Sequence, residues 1–200
     1  MSEEEAARHR EKMARRKTVQ DAEVAGKTIE KGLLMVHTGK GKGKSTAAFG
    51  LALRMLGRGR PVGVVQFIKG AWSTGERAPL EAMPGLEWHS MGEGFTWETQ
   101  DRERDVAAAQ RAWEKAMALM ARPGLGLLVL DELCIALRYD YLDTAAVVAA
   151  LAARPSGLHV VVTGRNAPPA LVEAADLVTE MALVKHHFAQ GVKAQEGIEF

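Results

Sequence analysis

Short apolar, β-branched runs alternate along this chain with stretches of helical periodicity. That alternation predicts a three-layer α/β fold, a mostly parallel sheet with helices on both faces. The order of one segment narrows it further. An apolar run, Gly32–Val36, leads into Thr38-Gly-Lys-Gly-Lys-Gly-Lys44-Ser45-Thr46, and Ala47–Leu56 then reads as a helix ending at Gly57. Strand, glycine loop closing on Gly-Lys-Ser, and helix form the context of a phosphate-binding P-loop, so the expected fold is that of a P-loop NTPase (RecA-like). A later strand, Leu125–Leu130, ends in Asp131-Glu132 and delivers two carboxylates, as a Walker B element does.

The remaining elements follow in chain order. Residues 1–31 are polar and mixed in charge, with Glu3–Glu5 followed by Arg8, Arg10, Lys12, Arg15, Arg16 and Lys17. Their thin apolar stripe (Ala6, Ala7, Met13, Ala14) cannot bury much, so composition reads them as a solvated tail. The chain divides into a charged arm, 1–26, and an α/β domain, 27–200. Pro61–Ile68 reads as a buried strand, 69–77 as a loop holding Trp72, Leu86–Ser90 as a weaker strand and 91–99 as a loop rich in glycine and aromatics. Thr99–Arg122 has helical spacing and stops at Pro123-Gly124. Asp143 is an N-cap for a helix through Ala153. His159–Thr163 reads as a strand, Pro168 or Pro169 opens a short helix to Ala175, and Leu177–Val184 reads as a last strand. The glycine-punctuated tail from Lys185 is irregular, and His186-His187 reads as a polar tail pair rather than a metal pair. In such a sheet, ligands bind beyond the carboxyl ends of the strands. The loops at 37–46, 69–77, 131–134 and 163–166 all fall at that edge.

The totals bound the function. The chain has 200 residues, 47% hydrophobic and 26% charged, enough for one sizeable core. Formal net charge is +1, so no bulk field draws it to nucleic acid or membrane. The single cysteine, Cys134, allows no internal disulfide and suits a reducing compartment. No apolar run approaches the ~20 residues of a spanning helix. Met-Ser-Glu-Glu-Glu is not a signal-peptide core. A cytoplasmic enzyme is expected, acting neither in a membrane nor on nucleic acid.

The loop's chemistry explains its composition. Glycines let a phosphate approach backbone N–H groups, the helix N-terminus adds partial positive charge, Lys44 adds a full one, and the Ser45 hydroxyl can ligate Mg²⁺. Asp131 and Glu132 can hold that Mg²⁺ directly or through water. Thr38 stands where the generic motif has glycine, so the nucleotide need not sit as in a common NTPase. The loop aromatics Trp72, Phe95 and Trp97 either form a flat apolar ligand surface or fold back as satellite core.

Taken together, the chain resembles the P-loop ATP:corrinoid adenosyltransferases. The resemblance is carried by Thr38–Gly50, Val64-Val-Gln-Phe-Ile-Lys-Gly70, Gly94-Phe-Thr-Trp-Glu-Thr-Gln100, Val129-Leu-Asp-Glu-Leu133, Tyr139-Asp-Tyr-Leu142, Ala153-Arg-Pro155, Thr163-Gly-Arg165, Val184-Lys-His186 and Gly191-Val-Lys-Ala-Gln195. These run in order from about residue 27 to the C-terminus, and Thr38 matches the family's own variant. Two positions depart: Lys40, where Asp or Asn is usual, and Ser45, where Thr is usual.

The resemblance implies transfer of the 5′-deoxyadenosyl group of ATP to Co(I) of a corrinoid, with triphosphate as leaving group. It assigns ATP binding to Thr38, Gly39, Lys40, Gly41, Lys42, Gly43, Lys44, Ser45 and Thr46. It assigns Mg²⁺ to Ser45, Asp131 and Glu132, catalysis to Lys44, Glu132, Phe95 and Trp97, and the corrinoid's lower axial face to Phe95 and Trp97. It further implies an ATP reversed relative to other P-loop enzymes, a flavodoxin-like or flavin reductant, and a homodimer whose arm caps the site. The rival readings are a RecA-type ATPase and a nucleic-acid module working through Arg8–Lys17. The phosphate product separates the first from adenosyl transfer.

Overall fold

A computed structural model describes residues 2–68, 74–91 and 101–199. The chain divides into two units, Met1–Lys31 and Gly32–Phe200. The first is a helix, α1 (Glu3–Ala25), built from local interactions. Ser2 caps it: its Oγ accepts the Glu5 N–H (3.2 Å) and Glu5 Oε2 accepts the Ser2 N–H (2.8 Å), a reciprocal capping box. Glu3, Glu4 and Glu5 lie in the first turn, where the helix dipole favours negative charge. Arg8–Glu4 and Lys17–Asp21 pair one turn apart, each such exposed pair contributing about 0.3–0.5 kcal/mol. No residue of α1 is buried.

The second unit is a doubly covered sheet. Its strands are β1 (Leu34–Thr38), β2 (Val62–Gln66), β3 (Leu86–Ser90), β4 (Leu127–Asp131), β5 (His159–Thr163) and β6 (Leu177–Glu180), in the order β3-β2-β4-β5-β1-β6. Every pairing is parallel. β1, β2 and β4 are buried at every position, which is why they read as unbroken apolar runs rather than alternating ones. Helices cover one face: α4 (Arg102–Met120) through Ala109, Ala112 and Ala116, α5 (Leu133–Arg138) through Leu133 and Leu137, α6 (Thr144–Ala152) through Val147 and Leu151, and α7 (Pro169–Ala174) through Leu171. On the other, α2 (Lys44–Leu56) and α3 (Arg77–Glu81) place Ala48, Phe49, Ala52, Leu56 and Leu80 against Met35, Val62, Val64 and Val129. The α/β fold with helices on both faces is therefore observed, and the sheet is parallel throughout.

Local signals hold where expected. Asp143 caps α6, its Oδ1 accepting the Ala146 N–H at 2.8 Å. Pro169 opens α7, and Gly57 follows α2. Three expectations shift. Helix α2 starts at Lys44 rather than Ala47, so the Gly-Lys-Ser residues are already its first turn. β6 ends at Glu180, four residues short of the expected Val184, because β1 ends at Thr38, the partner of Glu180. Short helices α3 and α5 begin at the ends of the expected loops 69–77 and 131–134 and run on through residues for which the sequence predicts no element. The tail is irregular apart from a 3₁₀ turn at His187–Gln190. Among the described residues no helix is long and apolar enough to cross a membrane.

Candidate active site

The P-loop is shaped by its glycines and by a strap behind it. Gly39 and Gly43 have φ of 97° and 103°, backbone that side chains disfavour. After β6 the chain runs against the loop: the Met181 N–H donates to Thr38 O (2.8 Å) and the Gly41 N–H donates to Met181 O (2.7 Å). A Cβ on Gly41 would lie 2.6 Å from Ala182 O, so this glycine is required by close backbone approach. The Thr38 hydroxyl accepts the Ala167 N–H at 3.1 Å, tying the loop's first residue to the β5–α7 turn.

Lys44 is buried, and its ammonium curls over the loop, donating to Gly39 O (3.0 Å) and Gly41 O (2.6 Å). Burial lowers its pKa, while the neighbouring Glu132 opposes that shift. Ser45 is half-buried at the first turn of α2; Lys40 and Lys42 are exposed, and Lys42 pairs with Glu199. Thr46 is exposed and lines a shallow apolar groove with Phe49, Leu53 and Leu80.

Asp131 and Glu132 are adjacent in sequence and different in environment. Asp131, 4% exposed, is clamped: Oδ1 accepts the Thr163 hydroxyl (2.8 Å) and Oδ2 accepts the Gln66 amide (3.0 Å). Gln66 is itself held, its Oε1 accepting from Trp88 Nε1 (3.1 Å) and the Ser90 hydroxyl (2.8 Å). Glu132 sits just past β4 with φ of 60°, its N–H donating to Thr163 Oγ1 at 2.9 Å. Its Oε2 is buried and, among the described residues, accepts no hydrogen bond. Burial and the Asp131 charge push its carboxyl up to about 7, against the pull of Lys44 and Arg165. Burial and Glu132 push the Cys134 thiol beneath it up to about 12, which makes it an inert packing group.

A polyphosphate cradle thus faces a buried acid whose Oε2 accepts no hydrogen bond among the described residues. Residues 30–200 match the family described as ATP:corrinoid adenosyltransferase BtuR/CobO/CobP. The chain belongs to this family. Residues 1–24 match a separate one, described as Cob(I)alamin adenosyltransferase N terminal. Relatives agree along the whole length. The corrinoid adenosyltransferase of Pseudomonas aeruginosa is 58% identical over 200 residues, covering 100% of this chain and 98% of its own. That of a Sinorhizobium species is 55% identical, covering 100% and 94%. The corrinoid adenosyltransferase CobA of Salmonella typhimurium is 48% identical, covering 96% and 98%.

Against this family, the structure brings the sequence-predicted residues Lys44, Asp131 and Glu132 together at the carboxyl edge of the sheet. Lys44 and Glu132 interact electrostatically, and Asp131 and Glu132 share Thr163. Phe95 and Trp97, assigned to the corrinoid, lie outside the described residues, as does Trp72. Sequence reasoning gave no role to Gln66, Thr163 or Arg165. The first two are buried polar residues that close apolar strands, and each grips Asp131; Arg165 acts on both Lys44 and Glu132. The signal available was a lone polar side chain ending each strand at the ligand edge.

Proposed function

We propose that this chain transfers the 5′-deoxyadenosyl group of ATP to the Co(I) centre of a corrinoid and releases triphosphate. The observation that carries this reading is the family match over residues 30–200, laid on a loop and carboxylate pair suited to a polyphosphate. The cobalt lone pair forms a bond to C5′, the C5′–O bond breaks, and its electron pair leaves on the triphosphate. The atom attacked is carbon, so the P-loop holds the leaving group. Residues 38–46 bind ATP, and the loop N–H groups and the Lys44 ammonium stabilise the charge that grows on the triphosphate as the bond breaks.

The residues fit a Mg²⁺ ion: the Glu132 carboxylate, whose Oε2 accepts no hydrogen bond among the described residues, and the Ser45 hydroxyl are hard oxygen donors. Asp131 has both oxygens engaged by Thr163 and Gln66, so it supports this pair rather than leading it. The ion would neutralise triphosphate charge. Phe95 and Trp97 form the apolar wall beneath the corrinoid, excluding an axial ligand so that Co(II) accepts an electron readily. A flavodoxin-like or flavin reductant supplies that electron. The enzyme works in the cytoplasm as a homodimer, with the arm (1–26) closing over the domain (27–200) when corrinoid binds.

The test is anaerobic incubation with ATP and chemically generated Co(I) corrinoid, with products read by spectrum and chromatography. A cobalt–carbon chromophore with stoichiometric triphosphate is expected. ADP and phosphate without that chromophore would overturn the reading in favour of an ATPase.

A further inference from the structure

The last residues of the chain return to the P-loop. Lys42 of the loop donates to Oε2 of Glu199, 157 positions away. Oε1 of the same carboxylate lies 3.3 Å from His187 Nε2. The rings of His186 and His187 stack with centroids 4.7 Å apart, and the ligand atoms of both histidines and Glu199 lie within 4.8 Å of one another. The Glu199 side chain is only 14% exposed.

We propose that Lys42, His186 and His187 form an anion subsite for a terminal phosphate of the triphosphate chain, and that the Glu199 carboxylate is its internal stand-in. The proposal rests on the reading above in so far as triphosphate is the leaving group.

Chemistry favours an anion over a metal ion at this cluster. His186 Nδ1 accepts the Phe188 N–H at 3.1 Å, which commits that lone pair and leaves the proton of the neutral ring on Nε2. The ring therefore offers a donor. The Lys42 ammonium, bonded to the same carboxylate, would repel a cation. Among the described residues His187 Nε2 is buried without a properly aligned hydrogen bond, although a carboxylate oxygen stands near it. One carboxylate thus faces three nitrogen groups and leaves one of them poorly used. A phosphate offers more charge and three acceptor oxygens to the same donors.

Lys44 and Lys42 then follow one logic. The Lys44 ammonium is occupied by the carbonyls of Gly39 and Gly41, and the Lys42 ammonium by Glu199. In both cases oxygen atoms of the chain stand where phosphate oxygens can exchange in. Glu199 is the more easily displaced, being a side chain rather than loop backbone. The Lys42 hydrogen bond holds its carboxyl below the usual range, with His187 and His186 adding to that effect, so it stays an anion that competes with the ligand.

Calorimetric titration of the full chain with inorganic triphosphate, and separately with ATP, tests this without corrinoid or turnover. Removing the competing charge in Glu199→Gln should tighten triphosphate binding about tenfold, the effect of one charge-assisted hydrogen bond. His187→Ala and His186→Ala should weaken it several-fold while adenosine binding is unchanged, which excludes general damage. Tighter binding of ATP as well assigns the subsite to bound substrate; tighter binding of free triphosphate alone assigns it to departing product. Unchanged or weaker triphosphate binding by Glu199→Gln overturns the proposal, as does wild-type protein that binds no triphosphate. The adenosyl-transfer reading fails on a different observable, hydrolysis to ADP, so the two can be told apart.

Discussion

Glu132 shows how one residue's environment sets its chemistry. Its neighbour Asp131 is satisfied by two side chains, whereas Glu132 is buried with an oxygen that accepts nothing. A carboxyl raised from the ordinary 4.5 to about 7 binds its proton more tightly in the folded chain than in the unfolded one. Stability from this group is therefore complete below pH 4.5 and is lost as pH rises from 4.5 to 7, by about 3 kcal/mol in all. Glu132→Gln removes the ionisation, so urea melts at pH 8 should find the variant more stable than wild type by about that amount, with the gap closing by pH 5. An equal gap at both pH values would contradict the assignment. In the proposed Mg²⁺ role the same acid gives up its proton to the cation. Binding of Mg²⁺ and ATP near pH 7, where the carboxyl is about half protonated, should then release about half a proton from wild type, and less from the variant, in calorimetry across buffers of different ionisation enthalpy.

At the scale of elements, the strap after β6 does for the P-loop what a second strand does for a hairpin: it fixes the backbone by direct hydrogen bonds. Gly41→Ala tests this. Its Cβ would meet the Ala182 and Met181 carbonyls at 2.6 and 2.7 Å, backbone that cannot rotate away. Overpacking of this kind costs about 1–3 kcal/mol. Loop displacement should lower ATP affinity about tenfold, seen in titration as well as in a lower melting temperature. Wild-type affinity in a stable variant would mean that the strap does not set the loop. Much of this layout was legible beforehand. β3 and β5 were read at their observed bounds, and the Asp143 cap and Gly57 stop were explicit in the sequence. Helices α3 and α5 span 5 and 6 residues, too short for a period to register. Lys44, Asp131 and Glu132 were readable because a motif keeps its members close in sequence. The Gln66–Asp131–Thr163 clamp and the Lys42–Glu199 pair were not, because each joins residues brought near only by strand order or by the returning tail.

For the whole molecule, the central demand is that two unlike substrates meet with little shared machinery. On the proposed reading the P-loop and the Glu132 carboxylate handle the triphosphate charge, and the strap holds the loop's backbone. None of them can make Co(II) easier to reduce, since that depends on removing an axial ligand. On the proposed reading this task falls to the apolar pair Phe95 and Trp97, distant in sequence from the loop. Phe95→Ala or Trp97→Ala should therefore slow enzyme-dependent Co(II) reduction by tenfold or more, a barrier change of at least about 1.4 kcal/mol. ATP affinity, and transfer to Co(I) generated chemically in advance, should stay within about twofold, since neither step needs the lower face cleared. The two assays run on the same preparation, so a folding defect would depress both. If transfer from ready-made Co(I) fell in step with reduction, these aromatics would be holding the corrinoid in place rather than tuning its cobalt.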